Sequence, residues 1–406
     1  MVKQLCPHAT EVVRRLQNAG YEAYIVGGSV RDLILGKVPK DFDVATNATP
    51  EQVKVVFPRC HLIGRRFRLA HVRLEGVLVE VATFRGKQQS SSHTHADGRI
   101  LRDNVWGSLE EDAVRRDFTI NALFMDPISG DIRDFTGGYQ DLADRKLRLI
   151  GDPETRYRED PVRLLRAARF VAKLGVEPVT ETAAPIRELA PLLESMPPAR
   201  LFEEACKLFL TGHAARTLEA LQRFHLTLSL LPVLGNNGES GKAKIGSLLT
   251  QAMVNTDRRI KEQKSVTPAF LFAALLWQPV KQRTAKLMEQ GLTEYQSIEQ
   301  AGDEIIGVQV RRTAIPRRFS AVTRQIWEIQ ARFRKTKGKR AMSVLHQPRF
   351  RAAYDFLLLR TVEDESLIPL AEFWTEAQKN MPPSVRPQPR NRSRRHRRGR
   401  KPAGDR

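Results

Sequence analysis

Cysteine is scarce in this sequence. There are three among 406 residues (Cys6, Cys60 and Cys206), far apart and without a Cys-x-x-Cys pair. That excludes a disulfide framework and a cysteine-built structural zinc site, and it fits a reducing compartment. No apolar run approaches the ~20 residues of a membrane span; the longest, 268–277, reads as a buried helix. The first residues lack the apolar core of a secretory signal, so a cytoplasmic location is expected. Acidic residues are outnumbered 46 to 67 by Lys and Arg, for a formal charge of +21. Wholesale disorder is excluded, because 41% of the residues are hydrophobic, enough for real cores. A chain of this length divides into two to four domains at ~100–200 residues each.

What is present is charge, and it is concentrated. Segment 311–340 holds eleven Lys and Arg against one acid, and segment 381–406 holds ten against one. Two basic stretches on a nearly neutral body suit contact with a polyanion. Arg317 and Arg318 in the first, and Arg394, Arg395, Arg397 and Arg398 in the second, are candidate polyanion contacts. Trp327 and Phe333 can stack on bases, but they also fit the buried stripe of an amphipathic helix.

Residues 1–150 read as a mixed α/β unit. Val12, Val13, Leu16 and Ala19 mark a first helix, and Tyr24-Ile-Val-Gly-Gly is a strand entering a glycine turn. A helix over 30–35 and a strand over 42–45 follow. Thr49, Pro50 and Gln52 form a capping box. Alternation over 69–74 and 77–84 around Glu75-Gly76 predicts a hairpin, as does 124–135 around 127–130. Between them, 86–104 is polar and without period, the pattern of a mobile surface loop. Ser108 caps a helix running toward Arg116. Beyond Gly151 only helices are expected: a neck over 151–235, beginning with a helix over 160–174, and a body over 236–375. The arginine- and proline-rich tail, 376–406, is expected to be disordered.

The chemistry centres on Gly27-Gly-Ser-Val-Arg-Asp32 and Lys40-Asp-Phe-Asp43. Alternate residues on a strand share a face, ~6.6 Å apart, so Asp41 and Asp43 repel unless a cation lies between them. Hard divalent ions take such oxygen donors together with substrate phosphates. Gly27 and Gly28, between a strand and a helix, can turn backbone N–H groups toward a phosphate, and Arg31 adds a cation one turn in. A bare Asp-x-Asp is more often a pair of turn caps; the combination within 17 residues is far more specific. Two other signals carry less. Gly235–Lys242 lacks the first glycine and the Ser/Thr of a P-loop, and His93 and His95 have no partners at metal spacing.

Gly27–Asp43 resembles the head-domain signature of polymerase-β-type nucleotidyltransferases. More narrowly it is similar to the class II branch, which contains tRNA CCA-adding enzymes and bacterial poly(A) polymerases. Further blocks match in order: Arg66-Phe-Arg-Leu-Ala-His-Val72, Val79-Glu-Val-Ala-Thr-Phe84, Arg115-Arg-Asp-Phe-Thr-Ile-Asn-Ala122 and Arg158-Glu-Asp-Pro-Val-Arg-Leu-Leu-Arg166. Within the branch, Leu101-Arg-Asp-Asn, Pro197-Pro-Ala-Arg-Leu-Phe-Glu203, Pro348–Phe356 and the arginine-rich tail resemble the poly(A) polymerases most. The likeness is close over residues 20–235 and looser to about 360.

The resemblance implies an α/β nucleotidyltransferase head, an elongated all-α body and a basic tail. It implies Asp41 and Asp43 as metal ligands and Asp117 as a third catalytic carboxylate. Gly27, Gly28, Arg31 and Arg116 would meet the nucleotide, and Asp160, Arg163 and Arg166 would meet its base. Asp160 and Arg163 are expected three apart on one helix face. Magnesium, with manganese as a substitute, is the implied metal and ATP the implied substrate. Template-independent AMP addition to RNA 3′ ends, tied to RNA processing and decay, is the expected activity, with RNA-decay machinery as a possible partner. CCA addition to tRNA and a non-catalytic RNA-binding role are the alternatives.

Overall fold

The structure is a computed structural model that describes residues 5–64, 68–86, 105–235 and 245–379, with Arg340 described by its backbone alone. Outside the described residues lie Arg66, most of the 86–104 loop with His93 and His95, nearly all of the Gly235–Lys242 run, and the tail with Arg394, Arg395, Arg397 and Arg398.

The head is built on a seven-stranded sheet in the order β3-β4-β5-β2-β1-β6-β7. Its strands are β1 (Ala23–Val26), β2 (Asp43–Thr46), β3 (His61–Ile63), β4 (Leu69–Leu74), β5 (Val77–Thr83), β6 (Leu123–Met125) and β7 (Ile132–Asp134). The sheet is mixed: β2 runs parallel to β5 and antiparallel to β1. Helices α1 (Pro7–Asn18), α2 (Gly28–Ile34), α3 (Pro50–Val56), α4 (Leu109–Arg115) and α5 (Gly138–Ala143) complete it. Val12, Val13 and Leu16 of α1 are fully buried, so that helix is held by its apolar stripe. The Thr49 box forms as expected, with hydroxyl and Gln52 amide each satisfying a backbone N–H. The hairpin turns on Glu75 and Gly76, both at positive φ, which matches the twist of the flanking strands.

Beyond the head, expectation and structure part at several points. A two-residue strand, β9 (Glu177–Pro178), pairs with β8 (Lys146–Leu147), so strand structure does not stop at Gly151. The neck helix expected over 160–174 is α7 (Val162–Leu174), and a separate helix, α6 (Pro153–Glu159), precedes it. Asp160 is the C-cap of α6, with φ −147° and ψ 88°, because Pro161 disfavours helical backbone in the residue before it. Asp160 and Arg163 therefore do not share a helix. The chain continues through the single turns α8 (Thr180–Ala183) and α9 (Ile186–Leu189), then α10 (Pro198–Phe209), α11 (Ala214–Arg223) and the short α12 (Thr227–Leu230). The body comprises α13 (Ser247–Lys261), α14 (Pro268–Leu275), α15 (Trp277–Glu289), α16 (Glu294–Thr313), α17 (Arg317–Arg332), α18 (Gly338–Leu345), α19 (Phe350–Arg360) and α20 (Ile368–Lys379). The apolar run 268–277 breaks at Leu276 into α14 and α15.

Trp327 and Phe333 are core residues with no exposed surface. The Trp327 indole N–H donates to the Ala273 carbonyl at 3.1 Å. Burying a ring of that size removes ~200 Å² from water, worth ~5 kcal/mol before entropy is counted. Neither residue is available to stack on RNA.

Candidate active site

The glycine turn is set by a backbone that only glycine tolerates well. Gly27 has φ 74° and caps α2, and its N–H donates to the Leu123 carbonyl at 3.0 Å. A Cβ there would stand 3.4 Å from Arg116 Nη1, so the turn lies directly under that guanidinium. Strand register then fixes the acids. Val26, at the mouth of the turn, is opposite Asp43, and Asp43 is beside Glu80 on the parallel neighbour β5. Asp41 stands exposed just ahead of β2.

Asp43, Glu80, Arg85, Asp112, Arg115 and Arg116 line one cleft of about 310 Å³. Desolvation by the surrounding head and repulsion from Glu80 push the Asp43 carboxyl up to about 6, with Arg116 pulling down and Asp41 pushing up. Asp43 is thus raised by burial and by its acidic neighbours, although three arginines line the same cleft and His71 lies 3.2 Å from Glu80. Glu80 is a residue that reading the sequence for motifs missed. Its signal was a single acid inside the apolar strand run Val79-Glu-Val, in register with the second aspartate.

Arg116 ends α4 and is aimed by Asp112, four residues back, at 3.1 Å and 2.8 Å, and by the Phe124 ring 4.9 Å from its guanidinium carbon. Arg115 donates to the Gly86 carbonyl at 2.6 Å. Gly86 and Gly107 cross so closely that a Cβ on Gly107 would lie 2.3 Å from the Gly86 Cα. From the neck, Arg156 donates to the carbonyls of both Arg115 and Arg116 at 2.7 Å, tying their backbone to α6.

Asp117, which follows Arg116 in the chain, is engaged from the neck. Its carboxylate accepts from Arg166 Nε at 2.7 Å, from the Asn121 side chain at 3.1 Å and from the Phe118 N–H at 2.8 Å. Burial opposes ionisation, but the Arg166 charge and these hydrogen bonds bring Asp117 down to about 2. Arg31 joins the same seam. It is 3% exposed, donates to Asn121 at 2.5 Å, and pairs with Asp32. Expected as a free cation for phosphate, Arg31 is placed in the interior, because Asp32 and Asn121 satisfy it there. Arg31, Arg166 and Arg169 all lie against the Phe170 ring, at 5.4, 5.5 and 4.9 Å.

Asp160 accepts from Arg200 of α10 at 2.7 Å and from the Val162 N–H at 3.3 Å. Arg163 donates to the Arg156 carbonyl at 2.6 Å and meets Glu159 at 3.2 Å, so the plain i,i+4 pair is also present. Three of the eleven cations in the basic 311–340 segment are paired with neighbouring acids: Arg312 with Glu194, Arg324 with Asp303 and Arg334 with Glu294. Arg317 and Arg318 open α17, with Arg318 against the Phe319 ring.

Comparison with known proteins adds three family matches: "Poly A polymerase head domain" over residues 23–148, "Probable RNA and SrmB- binding site of polymerase A" over 175–236, and "Polymerase A arginine-rich C-terminus" over 290–405. A Salmonella typhi protein named Poly(A) polymerase I is 48% identical over 94% of this chain and 84% of its own length. Its Haemophilus influenzae counterpart is 45% identical over 91% and 84%. A CCA-adding enzyme of Geobacillus thermodenitrificans is 39% identical over 57% of the chain. Among solved structures, the Bacillus stearothermophilus CCA-adding enzyme bound to CTP superimposes with a TM-score of 0.63 at 27% identity, covering 92% of this chain and 83% of that one.

Proposed function

The chain belongs to the bacterial poly(A) polymerase family, and we propose that its head cleft adds AMP from ATP to RNA 3′ ends without a template. The observation that carries the reading is the juxtaposition of Asp43, Glu80 and Arg116 over the Gly27 turn. The RNA 3′-hydroxyl attacks the α-phosphorus of ATP, a new P–O bond forms, and the bond to the bridging oxygen breaks as pyrophosphate leaves. The hydroxyl proton is lost to water as the new bond forms; the raised Asp43 carboxyl marks a place where a cation would be favoured.

Arg116, held on Asp112 above the turn, meets the triphosphate, and the Gly27–Gly28 turn lets the chain approach it closely. The donor set suits a hard divalent cation: Asp43 and Glu80 offer oxygen ligands side by side, and the Asp43 carboxyl is raised by its neighbours. Magnesium, or manganese in its place, would be held by Asp41 and Asp43 with Glu80 alongside, and when bound it supplies charge stabilisation at the phosphates. Asp117 is then a positioning residue: its bond to Arg166 sets the neck against the head. Asp160 and Arg163 offer an acceptor beside donors to an adenine edge, and Arg166 holds α7 in place beneath them. RNA is held by phosphate contacts from residues such as Arg317 and Arg318 and from the tail, including Arg394, Arg395, Arg397 and Arg398. Among the described residues no helix is long and apolar enough to cross a membrane.

The test is primer extension on an oligoribonucleotide with each of the four nucleotides. Long homopolymeric addition from ATP alone is expected. Equal use of CTP, or addition that halts after three nucleotides on tRNA, overturns the reading in favour of CCA addition.

A further inference from the structure

Far along the chain from the head cleft, a second opening is lined by Gln325, Glu328 and Arg332 of α17 and by Gln347, Pro348 and Arg349, which lead into α19. We propose that this is a base pocket for an upstream adenine of the RNA strand, a subsite that grips the tail the enzyme is making.

The pocket measures about 260 Å³. Clefts for whole small molecules start near ~300 Å³, so this one suits a single base with its sugar and phosphate outside. Ile329 and Pro348 give apolar faces, while two amides and a carboxylate give edge contacts. Glu328 is the telling member. It is partly buried, yet among the described residues it has no hydrogen-bond or ion-pair partner, although three arginines lie near it. Arg332 is turned onto Tyr295, with its guanidinium 5.0 Å from the ring centre and a 3.1 Å bond to the hydroxyl, and Arg324 is paired with Asp303. A carboxylate left unpaired in a cleft wants an N–H donor, and the adenine exocyclic amine is one. Gln325 and Gln347 can donate to the ring nitrogens beside it, a bidentate pattern that amide side chains make with adenine. Burial and the Glu299 charge push the Glu328 carboxyl up, as expected for an acceptor whose partner is absent. Arg349 is exposed at the rim as the N-cap of α19, and no side chain caps that helix, so guanidinium and first-turn amides both face a phosphate there.

The pocket rests on the polyadenylation reading only in its choice of adenine. The test therefore separates binding from catalysis. Fluorescence anisotropy of the full chain with 15-nucleotide oligo(A) and oligo(U), without ATP or divalent metal at ~0.1 M salt, should show oligo(A) bound more tightly, because uracil sets a carbonyl against Glu328 where adenine sets an amine. E328A should narrow that preference about tenfold, matching one lost base contact of 1–3 kcal/mol. Gln325→Ala, at an exposed position that folding does not depend on, should narrow it several-fold. Neither variant should change the first AMP addition to a primer too short to span head and body. A wild-type chain that extends primers with ATP but binds both oligomers equally overturns the pocket and leaves the activity reading intact. So does a preference that survives both substitutions. If E328A changes binding in the full chain but not in a chain ending at 380, the occupant is the chain's own arginine-rich tail and the proposal fails.

Discussion

Two carboxylates of the head are treated in opposite ways. At the cleft, Asp43 and Glu80 sit side by side on neighbouring strands, and the Asp43 carboxyl is driven up to about 6. At the seam with the neck, Asp117 is enclosed by Arg166, Asn121 and a backbone N–H, and its carboxyl is drawn down to about 2. The first arrangement is incomplete in the protein alone and asks for a ligand. The second is complete and resists one. One carboxyl is left raised by its neighbours, and the other already has its charge and hydrogen bonds met.

The largest test of that contrast is Asp43→Ala. AMP incorporation should fall by at least ~10³-fold, while the thermal midpoint stays level or rises, because repulsion is relieved. A fall in both would place Asp43 with the structural pairs. Next, Glu80→Gln should lower incorporation by ~10²-fold and bring the Asp43 carboxyl back toward the ordinary range. The metal-free pH titration of Asp43, followed by NMR, should move downward from about 6.

The seam behaves in the opposite sense. Asp117→Asn leaves the Arg166 charge buried without its partner, and should cost about 3 kcal/mol of stability at pH 7. The folded carboxyl lies below its unfolded value of 3.8, so its contribution is full above ~4 and is lost as pH falls toward 2. Urea melts of parent and variant should therefore converge over that window. An equal difference at pH 7 and pH 2 would remove the ion pair from the explanation. Smallest of all, Asn121→Ala breaks the bridge from Arg31 to Asp117 and should cost ~1 kcal/mol, with a modest rise in KM for ATP.

Much of the head was legible because its signals are local. The Thr49 box, the Glu75-Gly76 turn and the period-two strands each act over a few residues, and each appears where the spacing puts it. The Asp-x-Asp spacing was visible too, but β2 begins only at Asp43, so Asp41 stands outside the strand that the spacing predicted. Glu80 was not legible, since its importance comes from a parallel register across 37 positions of sequence that no periodicity reveals. Arg31 misled for a related reason: an arginine one turn into a helix after a glycine loop looks free until Asn121, ninety residues on, is found holding it. Asp160 followed helical spacing on paper, and Pro161 overrode it. The basic run at 311–340 was visible as charge, but its pairing with Glu194, Glu294 and Asp303 depends on packing.

The crossing of Gly86 and Gly107 has an architectural consequence. Two backbones in van der Waals touch, further joined by Gly86 N–H to the Val105 carbonyl and Gly107 N–H to the Phe84 carbonyl, act as a clasp on the chain between them. A side chain on either glycine would push the two segments apart and disturb Arg85 and Arg115, which line the cleft, so a contact between two hydrogens sets the position of two cations.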